Sequence, residues 1–93
     1  MDFEWDDQQD ELNLRKHGVT FAEAATVFDD PLAITYFDPD HSQEESRFLT
    51  IGMSIDGRVL ILSHTDRGAN IRIISARAAT RFERKGYENG TYP

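Results

Sequence analysis

Four cations near the carboxyl end of the chain have the spacing and the chemistry of a phosphate-binding surface. Arg77, Arg81, Arg84 and Lys85 follow one another at i, i+4, i+7 and i+8, so on a helix they share one face. An arginine guanidinium stays charged and donates two parallel hydrogen bonds, which suits phosphate oxygens. The sequence therefore predicts a basic, phosphate-binding helix over residues 77–87.

Three further arginines lie where neighbouring strands and turns could extend this basic surface. Arg47 opens one predicted strand, Arg67 lies in a predicted turn and Arg72 lies in the next strand. Another interpretation stays open, because residues 1–46 hold 2 basic and 13 acidic residues, whereas residues 47–93 hold 8 basic and 4 acidic residues. Several arginines are therefore expected to pair with the acidic amino-terminal half instead of with a ligand.

The uneven charge changes how the net charge of −7 is interpreted. Residues 1–46 carry −11 and residues 47–93 carry +4, and binding responds to the local field of a surface more than to the total. The basic half therefore suits an anionic partner. The alternative is that scattered charges keep a small domain soluble.

The sequence indicates no metal or cofactor site. It has no cysteine, and its three histidines, at positions 17, 41 and 64, are far apart, whereas metal ligands usually recur at short spacings. The acidic loop over residues 38–46 lacks the glycine-centred spacing of a calcium loop. No apolar run approaches the roughly 18 residues of a membrane helix, and the acidic start does not resemble a signal peptide. These features favour a cytoplasmic protein that is not associated with a membrane.

Three predicted strands lead into the basic helix. They are expected over residues 47–53, 58–65 and 70–76. Asp56-Gly57 and Gly68 should form the turns between them, because these residues tolerate turn conformations. The apolar run over residues 59–62 (VLIL) indicates a strand that is buried on both faces and central in the sheet. Gly86 is a poor helix former, so the basic helix is expected to fray or end there.

The amino-terminal half supplies elements that can pack against this sheet. A short strand is expected over residues 1–5, helices over residues 8–17 and from residue 21, and a strand over residues 32–37. Leu12 is the clearest inward residue of the first helix, and Gly18 is placed to cap its end. Thr20 and Glu23 have the spacing of a capping box for the second helix.

The predicted order is β-α-α-β-β-β-β-α, which indicates an α+β fold. It consists of a small antiparallel sheet with an added amino-terminal strand, two amino-terminal helices and one carboxy-terminal helix, with one face of the sheet left available. A chain of 93 residues suits a single domain with one core. This domain is assigned to residues 1–88, and residues 89–93 are expected to form a disordered tail.

Beyond these general features, the sequence contains a series of short segments that match one known family. They are residues 13–21 (NLRKHGVTF), 24–25 (AA), 27–31 (VFDDP), 47–48 (RF), 51–52 (IG), 72–77 (RIISAR), 83–84 (ER) and Tyr87. In these segments, which follow the family's order over nearly all of residues 3–88, the sequence resembles the BrnT toxins. The resemblance implies a ribonuclease toxin of a type II toxin–antitoxin system, with a RelE-like fold, that inhibits translation and growth.

The same resemblance implies a protein partner. BrnT toxins are neutralised by an antitoxin, BrnA, that carries a ribbon-helix-helix DNA-binding domain. Toxin and antitoxin are expected to form a heterotetramer that represses its own operon. DNA would then be contacted only indirectly, through the antitoxin.

If RNA is the substrate, the chemistry can be assigned to particular side chains. Metal-independent cleavage uses the ribose 2′-OH as the nucleophile and needs a base, an acid and cations at the phosphorus. Arg77 and Arg81 are expected to supply the positive charge. His64, beside the turn that holds Arg67, is expected to transfer protons because histidine ordinarily titrates near neutrality. Glu83 is the alternative for proton transfer.

Other side chains are expected to bind the RNA. Lys16 and His17 would reach the site if the first helix packs at the edge of the sheet; otherwise they are explained as cations that stabilise the end of that helix. Tyr87 is expected to stack on a base. The predicted substrate-binding residues are Lys16, His17, Arg47, Arg67, Arg72, Arg84, Lys85 and Tyr87.

A second hypothesis comes from a different functional class. The chain is acidic for a ribonuclease, and Gly86 interrupts its last helix. Both features suit a catalytically inactive, BrnT-like partner of a ribbon-helix-helix DNA-binding protein that acts in operon autoregulation. Measured RNA cleavage distinguishes the two hypotheses.

Overall fold

The computed structural model describes residues 2–91 and shows an α+β fold built on a five-stranded sheet. The elements are β1 (Asp2–Glu4), α1 (Asp7–His17), α2 (Phe21–Ala25), β2 (Ile34–Asp38), β3 (Arg47–Met53), β4 (Val59–Arg67), β5 (Asn70–Ala78) and α3 (Arg81–Asn89), with 3₁₀ turns at Thr26–Asp29 and Pro39–His41. The strand order is β1-β5-β4-β3-β2. Strands β2 to β5 form an antiparallel meander, and β1 lies parallel to β5. The predicted order of elements and the central position of β4 are confirmed.

One face of the sheet carries the main core. The side chains of α2 and of the first 3₁₀ turn meet those of β4 and β5 there. The buried members are Val19, Phe21, Ala24, Val27, Leu60, Leu62, Ile73 and Ala76. Gly52 of β3 allows the 3₁₀ turn to approach closely, because a Cβ at this position would lie 2.7 Å from Val27 Cγ1 and 2.9 Å from Ala33 Cβ.

A bulge in β5 determines which side chains face this core. Residues 63 and 64 of β4 pair with Ser75 and Ile73, which leaves Ile74 as an extra residue in β5. Because side chains alternate along a strand, the extra residue shifts the alternation by one position. Ile73 and Ala76 therefore both face the core, whereas Arg77 faces the opposite side of the sheet.

Helix α3 packs on that opposite side and buries a smaller apolar cluster. Tyr87 lies there against Ile51 and Ile61, and its hydroxyl donates a hydrogen bond to Asp30. Burial and this hydrogen bond raise the pKa of Tyr87 to about 12. The part of the sheet beside α3 is called the open face. By strand alternation it carries Tyr36, Leu49, Ser63, Ser75 and Arg77.

Helix α1 lies against the edge of β5 and turns Asn13, not Leu12, toward the sheet. The prediction that Leu12 faces inward is therefore wrong. Leu12 is 62% exposed, whereas Asn13 is only 7% exposed. The Asn13 amide donates to the carbonyl oxygens of Ala76 and Val19 at 2.8 and 2.9 Å, and it accepts from the Ala76 N–H at 3.1 Å. Beyond the short strand β1, this side chain therefore pairs with β5 as a neighbouring strand would.

The carboxy-terminal helix begins and ends later than predicted. Strand β5 continues to Ala78, so Arg77 belongs to a strand and not to the helix. Thr80 and Glu83 form the capping box that starts α3, with bonds of 3.2 Å to the Glu83 N–H and 2.8 Å to the Thr80 N–H. The helix then passes through Gly86 and ends at Asn89. It therefore includes the first residue of the predicted tail; Tyr92 and Pro93 of that tail, and Met1 of the predicted first strand, lie outside the described residues.

The amino-terminal caps follow the prediction only in part. Gly18 closes α1 with φ of 69°, and Thr20 Oγ1 accepts from the Glu23 N–H at 3.1 Å. The Glu23 carboxylate does not complete the capping box. It accepts from the Arg58 Nε at 3.0 Å and from the Ser54 hydroxyl at 2.7 Å, and the Arg58 bond is the main cause of its lowered pKa. Glu23 thus joins α2 to the β3–β4 hairpin.

Among residues 2–91, none of the helices combines enough length with enough apolar character to cross a lipid bilayer.

Candidate functional site

The open face contains a cavity of about 290 Å³ beside Arg77. Its lining residues are His17, Tyr36, Leu49, Ile61, Ser63, Ser75, Ala76 and Arg77. They come from α1 and from strands β2 to β5, so the cavity depends on the antiparallel part of the sheet and on the helix at its edge. Ligand cavities typically measure roughly 300–1,000 Å³. This one therefore suits a small group such as a single phosphodiester.

Glu83 orients the Arg77 side chain at this cavity. The two terminal nitrogens of Arg77 donate to the two carboxylate oxygens of Glu83 at 2.8 and 2.9 Å, a bidentate arrangement that fixes the guanidinium plane. The hydrogen bonds from Arg77 outweigh partial burial and lower the pKa of Glu83 to about 2. Glu83 is therefore ionised at neutral pH and has no proton to donate, and its position suits the orientation of Arg77 better than the predicted proton transfer.

Helix α1 brings His17 to the same cavity. His17 is the last residue of α1, and Asn13 holds that helix against Ala76 on the edge of β5. This is the condition under which the sequence predicts that His17 reaches the site. Lys16 is exposed one residue earlier on the same helix.

His64 lies on the other side of the sheet, in the main core. It is 3% exposed and packs between the rings of Phe28 and Phe48, with centroid distances of 5.1 and 6.0 Å. Burial lowers its pKa to about 4, although Asp66 acts in the opposite direction. Its Nε2 shares a 2.7 Å hydrogen bond with the Thr50 hydroxyl, and its Nδ1 has no hydrogen-bond partner in the described part of the chain. Strand alternation thus directs His64 away from the open face, and its predicted catalytic role does not fit this position.

The arginines of the sheet share the open face but not the cavity. Arg47 and Arg72 both lie opposite Thr65 of β4, whereas Arg77 lies opposite Ile61. Four residues along a strand span about 13 Å. These arginines therefore form a row along the open face. The prediction that they join Arg77 in one compact cationic site is corrected accordingly.

Acidic side chains of the amino-terminal half pair with several arginines, as predicted. The ion pairs are Arg58–Glu23 at 2.5 Å, Arg67–Glu45 at 3.5 Å and Arg72–Glu4 at 3.7 Å. Arg47 and Arg67 also line a larger cavity of about 620 Å³ next to the acidic loop. Most other residues around that cavity are acidic or polar, which suits an anionic ligand less well than the Arg77 cavity does.

Helix α3 places its cations in solvent. Arg81, Arg84 and Lys85 are exposed, and the ion pairs found among residues 2–91 do not include them. Tyr87 is only 8% exposed, so its predicted stacking on a base is wrong: the ring packs inward and the hydroxyl binds Asp30. Phe82 on the same helix is 81% exposed.

Three polar residues that line the Arg77 cavity were not predicted from the sequence. Ser63 and Ser75 face each other on β4 and β5, and Tyr36 comes from β2. In the sequence, Ser63 and Ser75 interrupt otherwise apolar strands, and this pattern indicates that one face of the sheet is partly exposed to solvent. No group of three histidine, cysteine or carboxylate side chains within residues 2–91 is arranged to hold a metal ion.

Two comparisons with known proteins agree with this architecture. A family model described as the ribonuclease toxin BrnT of type II toxin–antitoxin systems matches residues 5–83. The structure is similar to the 1.1 Å crystal structure of the Brucella abortus ribonuclease toxin BrnT, with a TM-score of 0.64 and 21% identity, over 87% of this chain and 99% of that chain. At this identity the structural likeness establishes the fold. A search of curated protein sequences returned no match.

Proposed function

Because the chain belongs to the BrnT family of ribonuclease toxins of type II toxin–antitoxin systems, we propose that it cleaves RNA at the Arg77 cavity and thereby inhibits translation and growth. The observation that carries this proposal is the guanidinium of Arg77, which Glu83 orients at a cavity that His17 also lines. An oriented donor that is fixed before reaction stabilises negative charge as it develops. Arg77 therefore suits a scissile phosphate.

The proposed reaction is an attack by the ribose 2′-oxygen on the adjacent phosphorus. A bond forms between O2′ and phosphorus, and the bond from phosphorus to O5′ breaks, which leaves a 2′,3′-cyclic phosphate and a free 5′-hydroxyl. His17 is the proposed proton-transfer group, because imidazole can accept the 2′-hydroxyl proton and supply one to O5′. Arg77 would neutralise the charge that builds on the phosphorane oxygens. No metal ion is required in this scheme.

The row of arginines gives the RNA backbone a path away from the cavity. Arg47, Arg67 and Arg72 lie on the same face as Arg77, by strand alternation. The pair between Arg67 and Glu45 is half exposed, with side-chain exposures of 48% and 41%, and exposed pairs of this kind are weak. A phosphate could therefore displace Glu45 at little cost.

Cleavage of a labelled single-stranded RNA by the purified protein tests this proposal. Arg77→Ala should lower kcat by about 10²- to 10³-fold, the usual effect of removing one donor to a developing charge. His17→Asn should lower it by about 10²- to 10⁴-fold. Arg67→Ala is the matched control, since it removes an arginine from the same face but away from the cavity and should weaken binding with little change in kcat. Activity should persist in EDTA.

Circular dichroism of each variant separates loss of function from loss of folding. A folded wild-type protein that cleaves no RNA would contradict the proposal and favour the inactive partner of a DNA-binding protein. If the folded Arg77→Ala variant kept full activity, the site would have to lie elsewhere. Growth arrest in an induced bacterial host, abolished by Arg77→Ala, would connect cleavage to toxicity.

A type II toxin–antitoxin family implies an antitoxin partner. We propose that this partner is a BrnA-like ribbon-helix-helix protein, that the two form a heterotetramer in the cytoplasm, and that DNA is contacted only through the antitoxin. Co-expression with a ribbon-helix-helix protein encoded beside the toxin gene tests this. Light scattering should give the mass of two toxin and two antitoxin chains, and the toxin alone should not shift operator DNA.

A further inference from the structure

Two residues of α3 are unusual for their positions in a helix. Phe82 is 81% exposed, although a large apolar ring stabilises a fold only where it is removed from water. Gly86 lies inside the helix, where glycine is among the least favourable residues. The two positions are four residues apart, so they are neighbours on one flank of α3.

We propose that Phe82 is a stacking platform for a nucleobase of single-stranded RNA, with Arg81 and Lys85 binding the adjacent phosphates. This inference deepens the proposed ribonuclease function and rests on it. Proteins that bind single-stranded nucleic acid combine exposed aromatic rings with a positively charged surface, because every base has a face that can stack. Helix α3 presents both.

Gly86 favours this use of the ring. Helical side chains point toward the amino terminus, so the residue at i+4 is the one whose side chain would lie over Phe82. Glycine has no side chain to place there. At the i+4 position the helix therefore places no side chain of its own over the Phe82 ring.

The charges around Phe82 favour RNA over an apolar protein surface as the occupant. Arg81 and Lys85 lie next to Phe82 on the helix, and the described part of the chain supplies no ion-pair partner for them. Glu83 is already bound to Arg77, which leaves Glu88 as the acid exposed on α3. In a chain of net charge −7, this concentration of cations gives a local field that attracts a polyanion.

The platform lies on the same turn of α3 as the residue that orients the proposed catalytic group. Phe82 immediately precedes Glu83, whose carboxylate holds Arg77 at the cavity. An RNA strand that places a phosphate at Arg77 would pass this turn of α3, where Phe82 can hold a neighbouring base, so the proposed role of Phe82 is in substrate binding. The role that the sequence predicted for Tyr87 passes to Phe82.

The binding test uses a fluorescent 2′-O-methyl oligoribonucleotide, which lacks the nucleophilic hydroxyl and reports binding apart from cleavage. Phe82→Leu keeps an apolar side chain without an aromatic face and should weaken binding by about tenfold, within the roughly 5- to 150-fold range for the loss of one stacked base. Phe82→Trp should retain binding, and its indole fluorescence should be quenched by the oligonucleotide. Ile55→Ala is the matched control, because Ile55 is 80% exposed but lies in the turn between β3 and β4 instead of on α3, and it does not line the Arg77 cavity; this change should not affect binding.

The cations and the ring make separable contributions. Replacing Arg81 and Lys85 with glutamine should reduce the slope of log affinity against log salt by about 0.7 for each phosphate that the variant no longer neutralises. Phe82→Leu should leave that slope unchanged. With cleavable RNA, Phe82→Leu should raise KM by about the same factor as the loss of binding and leave kcat nearly unchanged.

The outcomes distinguish this inference from the function on which it rests. A folded Phe82→Leu variant that binds the oligonucleotide as tightly as wild type overturns the platform and leaves the ribonuclease proposal standing. Binding that depends on Phe82, in a wild-type protein that cleaves no RNA, supports the platform and removes the catalytic proposal. If Phe82→Leu weakens only the complex with the antitoxin, the ring belongs to a protein interface and the platform is overturned.

Discussion

Replacing Asn13 with leucine tests whether a single amide holds α1 to the sheet. Asn13 is 7% exposed and makes three hydrogen bonds, two with Ala76 and one with Val19. Leucine has a similar volume but makes none of them, so it leaves three buried backbone groups without partners. Each such group costs about 1–3 kcal/mol. Because partial solvation at the sheet edge offsets part of this cost, we expect a loss of about 3 kcal/mol.

Urea denaturation followed by tryptophan fluorescence measures this loss. Trp5 is the only tryptophan and packs against Phe21 at a centroid distance of 6.2 Å, so it reports on the core. In thermal unfolding the same change should lower Tm by roughly 12–24 °C, since 1 kcal/mol corresponds to roughly 4–8 °C in a domain of this size.

The neighbouring residue provides the control. Leu12 is 62% exposed, and Leu12→Ala should change the free energy of unfolding by less than about 0.5 kcal/mol. If Asn13→Leu cost less than about 1 kcal/mol with an unchanged denaturant slope, the strand-like pairing of Asn13 with β5 would not be what fixes α1. The placement of His17 at the cavity would then need another cause.

Two further substitutions test the groups that the structure buries. Between pH 6.5 and about 4, His64 is protonated in the unfolded chain but not in the folded one, so stability should fall by about 3 kcal/mol as the pH falls through this window. His64→Leu should remove this dependence of the free energy of unfolding, measured in urea, on pH. If the free energy changed equally with pH in the wild type and the variant, burial of a neutral His64 would not be its cause. Tyr87→Phe removes the hydroxyl that donates to Asp30 and should cost about 1–2 kcal/mol without changing RNA binding. If the Tyr87→Phe variant bound RNA more weakly but unfolded with the same free energy as the wild type, Tyr87 would contact RNA instead of Asp30.

The strands could be predicted because their signals are local. The apolar run from Val59 to Leu62 indicates burial on both faces, and turn residues such as Asp56-Gly57 mark the ends of strands. The start of α3 was also present in the sequence, since Thr80 and Glu83 have the spacing of a capping box. The regular spacing of the arginines instead predicts a helix that starts at Arg77, three residues before this cap.

The residues of the candidate site could be predicted only in part, because their positions depend on long-range packing. Arg77 and His17 were predicted as site residues, and the structure brings both to one cavity. His64 was assigned to the site by its position along β4, but the sequence does not reveal which face of the sheet its side chain occupies. Asn13 was overlooked for a similar reason: its role exists only because β1 is short and leaves the edge of β5 to a helix.

The bulge in β5 has a consequence for changes in chain length. Four positions separate Ile73 from Arg77, an even number, which in a regular strand would put both side chains on the same face. If one residue were deleted at Ile74, the strand would become regular, and the core and the cavity would keep the same side chains. An insertion or deletion of one residue elsewhere in β5 would instead reverse the side chains beyond it, unless the bulge moved. Position 74 is therefore where homologous chains are expected to differ in length.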